Sequence, residues 1–422
     1  MNLYCFILGR NPSLAVAEII KVIGQDILEI VGVSERTAVL KMNKEIADPG
    51  GLISRLYGTT KIVKLIDTIN DRNLKAGLTE IFSDQSRCQK YFPAEGKKTI
   101  FGISLYNLDT STANFRSLLK QMTALANLVK TAAKNSGYKC GFVKTDGNEI
   151  TSGSIRKNQL LENGADIVLI TGSNQTFVGK TIAIQDFDDY EKRNYQRPIR
   201  DLKSGVMPVK LARIMITLSG AKPEETVIDP FCGSGTIIQE LALMEFKKIS
   251  GLDNSTKAVD DCKKNLLWLF EQYPQLDKKL LPDIQLQDAR ELSKVFKKDS
   301  VGTIITEPYL GPIQEKQPTS KEVEKIISEL SGLYLEFFRQ AAAILKSTGV
   351  IAIIFPVFKE NNQLVLLDIL NQIKKIGFTL ESPLPPKLTN FPAVKLTDRN
   401  SLLLEKENQI ITREILLFKK IS

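Results

Sequence analysis

Apolar residues recur along this chain at two spacings that take turns. They come every second residue over short runs and every third or fourth over longer ones, as strands and helices of a mixed α/β protein require. Residues 4–8, 27–31 and 37–41 read as strands, and a helix opened by Asn11-Pro12-Ser13 carries Leu14, Ala17 and Ile20 on one face. A short helix over 51–58 and a strand over 61–67 follow. Further strands are expected at 100–106, 141–144, 167–171 and 181–184, with one long amphipathic helix over 114–135 and a basic helix opening at Ser154. A helix starting near Pro208 stops before Gly220. The remainder alternates regularly: a strand ending at Asp229, a helix after Thr236, a strand at 249–253, and a helix over 255–271 with Trp268 in the core. Strands at 284–287 and 302–306, a helix to Leu345, a strand at 349–355, a helix near 363–376 and a strand at 413–420 complete a seven-strand pattern. Boundaries near residue 60 and within 186–220 give α+β units over 1–60 and 61–185, a basic linker over 186–220, and an α/β domain over 221–422.

The α/β domain is organised around Val227-Ile228-Asp229-Pro230-Phe231-Cys232-Gly233-Ser234-Gly235-Thr236-Ile237-Ile238. Strand, glycine loop and helix make the first turn of an open parallel sheet, where such sheets bind nucleotide-like ligands. The glycines let the backbone approach the ligand. A dinucleotide fingerprint needs a third glycine where Ile238 stands, and no Gly-Lys-Ser/Thr follows, so both phosphate-cradling loops are excluded. Asp229 at the strand end would repel a phosphate and suits a ligand with an ammonium group. Asp253 ends the second strand 24 residues later, where a carboxylate can accept both hydroxyls of a ribose. Asp288 ends the third, placed to accept the amine of an adenine. The fourth strand runs into Thr306-Glu307-Pro308-Tyr309, a rigid proline turn that presents groups to a ligand.

Composition narrows the chemistry. Hydrophobic content of 43% and charged content of 25% suit a globular protein, and no apolar run is long enough to span a membrane. Five scattered cysteines, none two residues apart, disfavour a disulfide framework and a zinc cluster, so a reducing cytoplasm and no metal are expected. Histidine is absent, which removes imidazole bases and histidine metal sites. The net charge of +9 is unevenly placed: residues 113–157 hold eight Lys/Arg against two acids, and 191–213 seven against two, whereas 214–422 balances at 27 each. A polyanion-binding surface is expected on those two stretches, through Arg116, Lys120, Arg156, Lys157, Arg197 and Arg200.

Asp-Pro-Phe-Cys-Gly-Ser-Gly-Thr resembles the first motif of S-adenosyl-L-methionine-dependent methyltransferases that act on exocyclic amines. The order of the units and the phrases at 100–106 and 154–160 resemble a ferredoxin-like unit followed by a THUMP domain, an RNA-binding module. Together they resemble the THUMP-containing tRNA guanosine-N2-methyltransferase family, almost from end to end. The resemblance implies a Rossmann-like, seven-stranded methyltransferase domain, S-adenosyl-L-methionine as cofactor, tRNA as partner and guanosine 10 as target. It implies cofactor contacts from Asp229, Phe231, Gly233, Gly235, Asp253, Asn254, Asp288 and Ala289, and a catalytic role for Thr306, Glu307, Pro308 and Tyr309. The family's fourth motif is Asp/Asn-Pro-Pro-Tyr, so this chain departs from it at positions 306 and 307. Either Thr306 accepts one hydrogen of the amine and Glu307 rotates in as the missing carboxylate, or the site is altered in substrate or inactive. A DNA amino-methyltransferase and a catalytically degenerate tRNA-binding protein of the same fold are the alternatives.

Overall fold

The computed structural model describes residues 2–70, 73–93, 98–145, 147–200, 207–314, 316–360, 363–404 and 410–421. The chain divides into two units, Met1–Phe187 with Leu388–Val394, and Asp188–Lys387 with Lys395–Ser422.

In the first unit, β1 (Leu3–Leu8), β2 (Ile27–Val33), β3 (Thr37–Met42), β4 (Thr59–Ile69), β5 (Thr99–Asn107), β6 (Cys140–Phe142), β7 (Gly164–Thr171) and β8 (Thr176–Ile184) form one sheet in the order β2-β3-β1-β4-β8-β7-β5-β6. β4 pairs antiparallel with β1 on one edge and with β8 on the other. The boundary expected near residue 60 therefore falls inside a strand whose backbone groups are used on both sides. Five helices of this unit are α1 (Pro12–Ile23), α2 (Pro49–Ile53), α3 (Leu74–Ser83), α4 (Gln85–Tyr91) and α5 (Thr112–Lys120). Asn11 caps α1 by accepting the Leu14 amide at 3.0 Å, as its sequence suggested. The single helix expected over 114–135 is two, α5 and α6 (Met122–Asn135), bent at Gln121 (φ −99°, ψ 0°). One apolar stripe continues across the bend, so periodicity alone does not reveal it. α6 buries Met122, Leu125, Val129 and Ala133, whereas α5 buries no residue. A short helix, α7 (Ser152–Lys157), follows a Thr151 cap.

The second unit holds α8 (Phe187–Tyr195, starting at the boundary), α9 (Val209–Ser219), α10 (Thr236–Leu243), α11 (Thr256–Gln272), α12 (Ser320–Ile344) and α13 (Leu370–Ile376). Its strands are β9 (Thr226–Asp229), β10 (Lys248–Asp253), β11 (Asp283–Leu286), β12 (Val301–Thr306), β13 (Leu345–Glu360), β14 (Gln363–Leu366), β15 (Phe378–Glu381), β16 (Leu402–Leu404) and β17 (Thr412–Lys420). Seven of them run β11-β10-β9-β12-β13-β17-β15, with β14 added on β13 and β16 on β17. β11 to β13 are mutually parallel, and β17 is antiparallel to both neighbours. The start of the helix expected over 363–376 is instead β14, held by antiparallel pairing with β13. The joint expected over 186–220 contains α8 and α9, and its residues 201–206 lie outside the described residues. Trp268 is half-buried; Leu266 and Leu269 beside it fill the core instead.

The chain builds β10 and β11 on one side of β9 and β12 and β13 on the other. Such a reversal opens a crevice beyond the carboxyl ends of β9 and β12. Tyr334, Phe337 and Phe338 of α12 pack under it against Ile304, Ile351, Ile353 and Phe355. Among the described residues, no helix is long and apolar enough to cross a membrane.

Candidate active site

The glycine loop leaves β9 at Asp229 and enters α10 at Thr236, and its two glycines serve different ends. Gly233 has φ +51°, and a Cβ built there would project into open space on the cavity wall. Gly235 has φ +85°, and a Cβ there would meet Cys262 Sγ at 2.4 Å. The first glycine leaves room for a ligand, while the second lets the loop seat on α11. Gly235 was expected at the ligand, and the structure places it behind the wall instead.

A cavity of about 670 Å³ opens over this loop, lined among others by Asp229, Phe231, Gly233, Asp253, Asn254, Asp288, Ala289, Glu307, Pro308 and Tyr309. Those ten sequence-derived positions are brought together from the ends of β9, β10, β11 and β12. Phe231 is backed edge-on by Phe337, with ring centroids 5.7 Å apart, so its ring is a fixed apolar surface.

Asp253 accepts the Gly233 amide at 3.0 Å through Oδ2 and the Ser255 amide at 3.0 Å through Oδ1. Burial raises its carboxyl above the ordinary aspartate value despite these bonds. Asp229 is more deeply enclosed. Desolvation pushes its carboxyl up to about 7, against hydrogen bonds from Thr306 and the Phe231 amide and with help from the nearby charges of Asp253 and Glu307. Asp288 sits at the far end, where the guanidinium of Arg290 holds its carboxyl below the usual range through bonds at 3.0 and 2.7 Å. Both its oxygens are thus engaged by a side chain that is itself exposed.

The fourth strand end differs from expectation. The Thr306 hydroxyl donates to Asp229 Oδ1 at 2.6 Å, and Thr306 is fully buried and does not line the cavity. It cannot receive the amine of a substrate there; it ties the end of β12 to the end of β9. Glu307 does face the cavity, and Arg413 of β17 donates to its carboxylate. The following turn is pinned from below, because the buried Tyr334 hydroxyl donates to the Tyr309 carbonyl at 2.9 Å. The Tyr309 ring remains 56% exposed, free to stack on an incoming planar group.

The basic residues divide. Arg116 and Lys120 on α5 and Lys157 at the end of α7 are exposed, and Arg156 is exposed and paired with Asp186 at 2.9 Å. Arg200 is exposed and stacks on the Tyr195 ring at 5.0 Å. Arg197, expected on the polyanion-binding surface, is only 3% exposed and donates from one terminal nitrogen to Thr236 Oγ1 at 2.7 Å. It is part of the wall behind the glycine loop, because α8 and the segment after it are laced to that loop. Arg193 donates to the buried Glu240 of α10 at 2.8 Å, and Asn265 of α11 bridges both Ile199 and the Ser234 carbonyl.

Motif reading missed Met207, Lys257, Asp261 and Arg290 on the cavity wall. Lys257 donates to Asp261 at 2.6 Å one helical turn on, and their spacing just after the second strand-end acid was the available signal. Arg413 lies in no motif.

Residues 197–375 match a family model described as an RMKL-like methyltransferase domain, and residues 98–264 match one described as a DNA methylase. The chain is 28% identical over 233 residues to the tRNA (guanine(10)-N2)-dimethyltransferase of Methanothermobacter thermautotrophicus, covering 54% of this chain and 62% of that one. It is 29% identical over 163 residues to the enzyme of the same name from Methanocaldococcus jannaschii, covering 37% and 42%. The chain thus spans less than two thirds of the length of these curated relatives. The crystal structure of TrmN from Thermus thermophilus superposes with a TM-score of 0.57 at 14% identity, over 99% of this chain and 100% of that one. The fold is a mixed α/β one whose second unit is Rossmann-like and of the methyltransferase type.

Proposed function

We propose that this chain transfers methyl groups from S-adenosyl-L-methionine to the exocyclic N2 amine of a guanosine in tRNA, position 10 by its likeness to the two archaeal dimethyltransferases. The observation that carries the reading is the convergence of Asp229, Asp253, Glu307 and Tyr309 on one cavity beside a glycine whose Cβ position is open.

The residues present fit this cofactor. The exposed face of Gly233 admits a ligand against the backbone, and Asp253 keeps lone pairs for the ribose hydroxyls. Asp288 and Ala289, which line the cavity, are assigned to the adenine, and Asp229 to the ammonium. A set of carboxylates disfavours a pyrophosphate and suits a cationic ligand. When bound, the cofactor supplies an electrophilic methyl group on a sulfonium. The chain supplies placement: Tyr309 stacks on the target base, and Pro308 fixes the turn beneath it. Glu307, oriented by Arg413, accepts a hydrogen of the amine and takes the proton that the nitrogen sheds as its bond to the methyl forms. Thr306 holds Asp229 and has no direct part.

Arg116 and Lys120 on α5, Lys157 and Arg200 are assigned to the phosphates and loops of the tRNA, with the first unit serving as the THUMP-like RNA-binding part of a cytoplasmic enzyme. α5 suits this task because none of its residues is fully buried and Arg116 and Lys120 are exposed, while Phe115, Leu118 and Leu119 rest half-buried on the core. Label transfer into unmodified tRNA and duplex DNA, followed by nucleoside mass spectrometry, tests the whole reading. N2-methylguanosine from tRNA is expected; label only in DNA, or none at any enzyme concentration, overturns it. Reversing charge with Arg116→Glu and Lys120→Glu should raise the KM for tRNA about tenfold at low salt and flatten its salt dependence, with cofactor affinity unchanged.

Asp229 gives the cofactor site a pH signature. Its carboxyl titrates near 7 in the fold against an ordinary 3.8. Only the ionised form attracts an ammonium, so affinity should weaken by up to about tenfold per pH unit below 7. It should weaken again above about 8, where an α-amino group loses its proton. Calorimetry across pH 5–9 reads this, and Asp229→Asn should flatten the acid limb. Stability runs the other way: the protonated form's contribution is complete below 3.8 and is lost as pH climbs through about 7.

A further inference from the structure

Arg197 is a cation sealed into the second unit, and among the described residues it makes no ion pair. It is 3% exposed, and its Nε and second terminal nitrogen are buried with no hydrogen-bond partner among the described residues. Desolvation first, and the repulsion of Arg200 second, lower its pKa from the ordinary arginine value. The nearby carboxylate of Glu240 is already taken up by Arg193 and Arg213. The position adds to the cost, because Thr236, which Arg197 grips, is the first residue of the eight-residue α10. A helix start carries partial positive charge and disfavours a second cation beside it. A buried, unpaired charge at such a place is held against a cost that an arriving anion would offset.

Thr236 lines the cavity. Its oxygen accepts from Arg197, so its hydroxyl hydrogen is left to donate to a further acceptor. The same cavity is also lined by Asp229, Asp253, Asp288 and Glu307. One cavity therefore offers a carboxylate set and, at Thr236, one donor backed by two sources of positive charge. That suits a zwitterion, with its ammonium on Asp229 and its carboxylate at the start of α10.

We infer that Arg197 is a positioning residue that reads the carboxylate end of the cofactor through the Thr236 hydroxyl; this rests on S-adenosyl-L-methionine being the ligand of the cavity. The guanidinium orients and polarises the hydroxyl and does not itself touch the ligand. Its contribution is then to affinity for the free carboxylate, and not to the adenosine or the sulfonium.

Calorimetry of the full chain with S-adenosyl-L-methionine and with its decarboxylated form separates the possibilities, because the second keeps adenosine, sulfonium and amine. Arg197→Met should weaken the intact cofactor about tenfold or more and leave the decarboxylated form within about twofold. Arg197→Lys, which keeps the charge, should recover part of the loss. Thr236→Val, close in volume, should reproduce the selective loss, and it decides the matter if the methionine variant does not fold. Equal weakening of both ligands by Thr236→Val and Arg197→Met would mean a merely structural role and overturn the inference, as would no weakening of either. If the unaltered chain binds neither ligand, the cofactor reading fails, and this inference falls with it.

Discussion

Asp253→Ala is expected to weaken binding of S-adenosyl-L-methionine by at least about a hundredfold in calorimetry. Two losses combine. The ribose loses an ionised acceptor, and hydrogen bonds to charged groups contribute about 1.5–3 kcal/mol each. The Gly233 and Ser255 amides lose the carboxylate that fixes the loop and the start of α11. Two such bonds convert to a factor of about 10² to 10⁴. Asp253→Asn keeps one acceptor oxygen and should fall between the parent and the alanine variant. Unchanged affinity in Asp253→Ala would remove the nucleoside assignment altogether, because no other carboxylate sits at the end of β10.

Glu307→Ala is expected to lower kcat about 10²- to 10³-fold, with the cofactor Kd within about twofold. The family motif places its acid one residue earlier, but Thr306 at that place is turned inward and committed to Asp229. Glu307 is the carboxylate at the turn, fixed by an arginine that is itself almost fully enclosed. Arg413→Met should therefore reproduce much of the kcat loss while leaving the cofactor Kd alone. A kcat that does not move in Glu307→Ala would leave the departure from the family motif without a compensating group. It would favour the degenerate tRNA-binding protein over the enzyme.

What the linear chain disclosed follows from how far apart the interacting groups are. The glycine loop and the acids at three strand ends were readable because strand, loop and helix are contiguous and the sheet reversal needs them there. The engagement of Glu307 was not, because its partner stands 106 residues away on β17, an antiparallel strand of the second unit's sheet. Arg197 shows the limit of charge counting. It belongs to a run of seven cations and two acids, yet it faces inward, and no composition window separates it from exposed Arg200 three residues later. The bend at Gln121 was hidden for a third reason: Phe115 to Leu128 keep helical spacing through it, while only the part after the bend has fully buried residues and Phe115, Leu118 and Leu119 pack half-buried against the core.

Ile238 stands where a dinucleotide fold would have its third glycine, and it is fully buried. The glycine it faces lies in β10: a Cβ on Gly251 would come within 3.1 Å of the Ile238 side chain and 2.9 Å of Ile284. The thin member of the helix–strand pair has simply changed sides. Ile238→Gly alone would leave a hole under α10, and a larger residue at 251 alone would collide with it. A descendant of this chain could not drift toward nicotinamide or flavin dinucleotides by single steps without first passing through a weakened fold. Ligand class is guarded here by a lock-and-key fit between buried residues that no ligand ever meets.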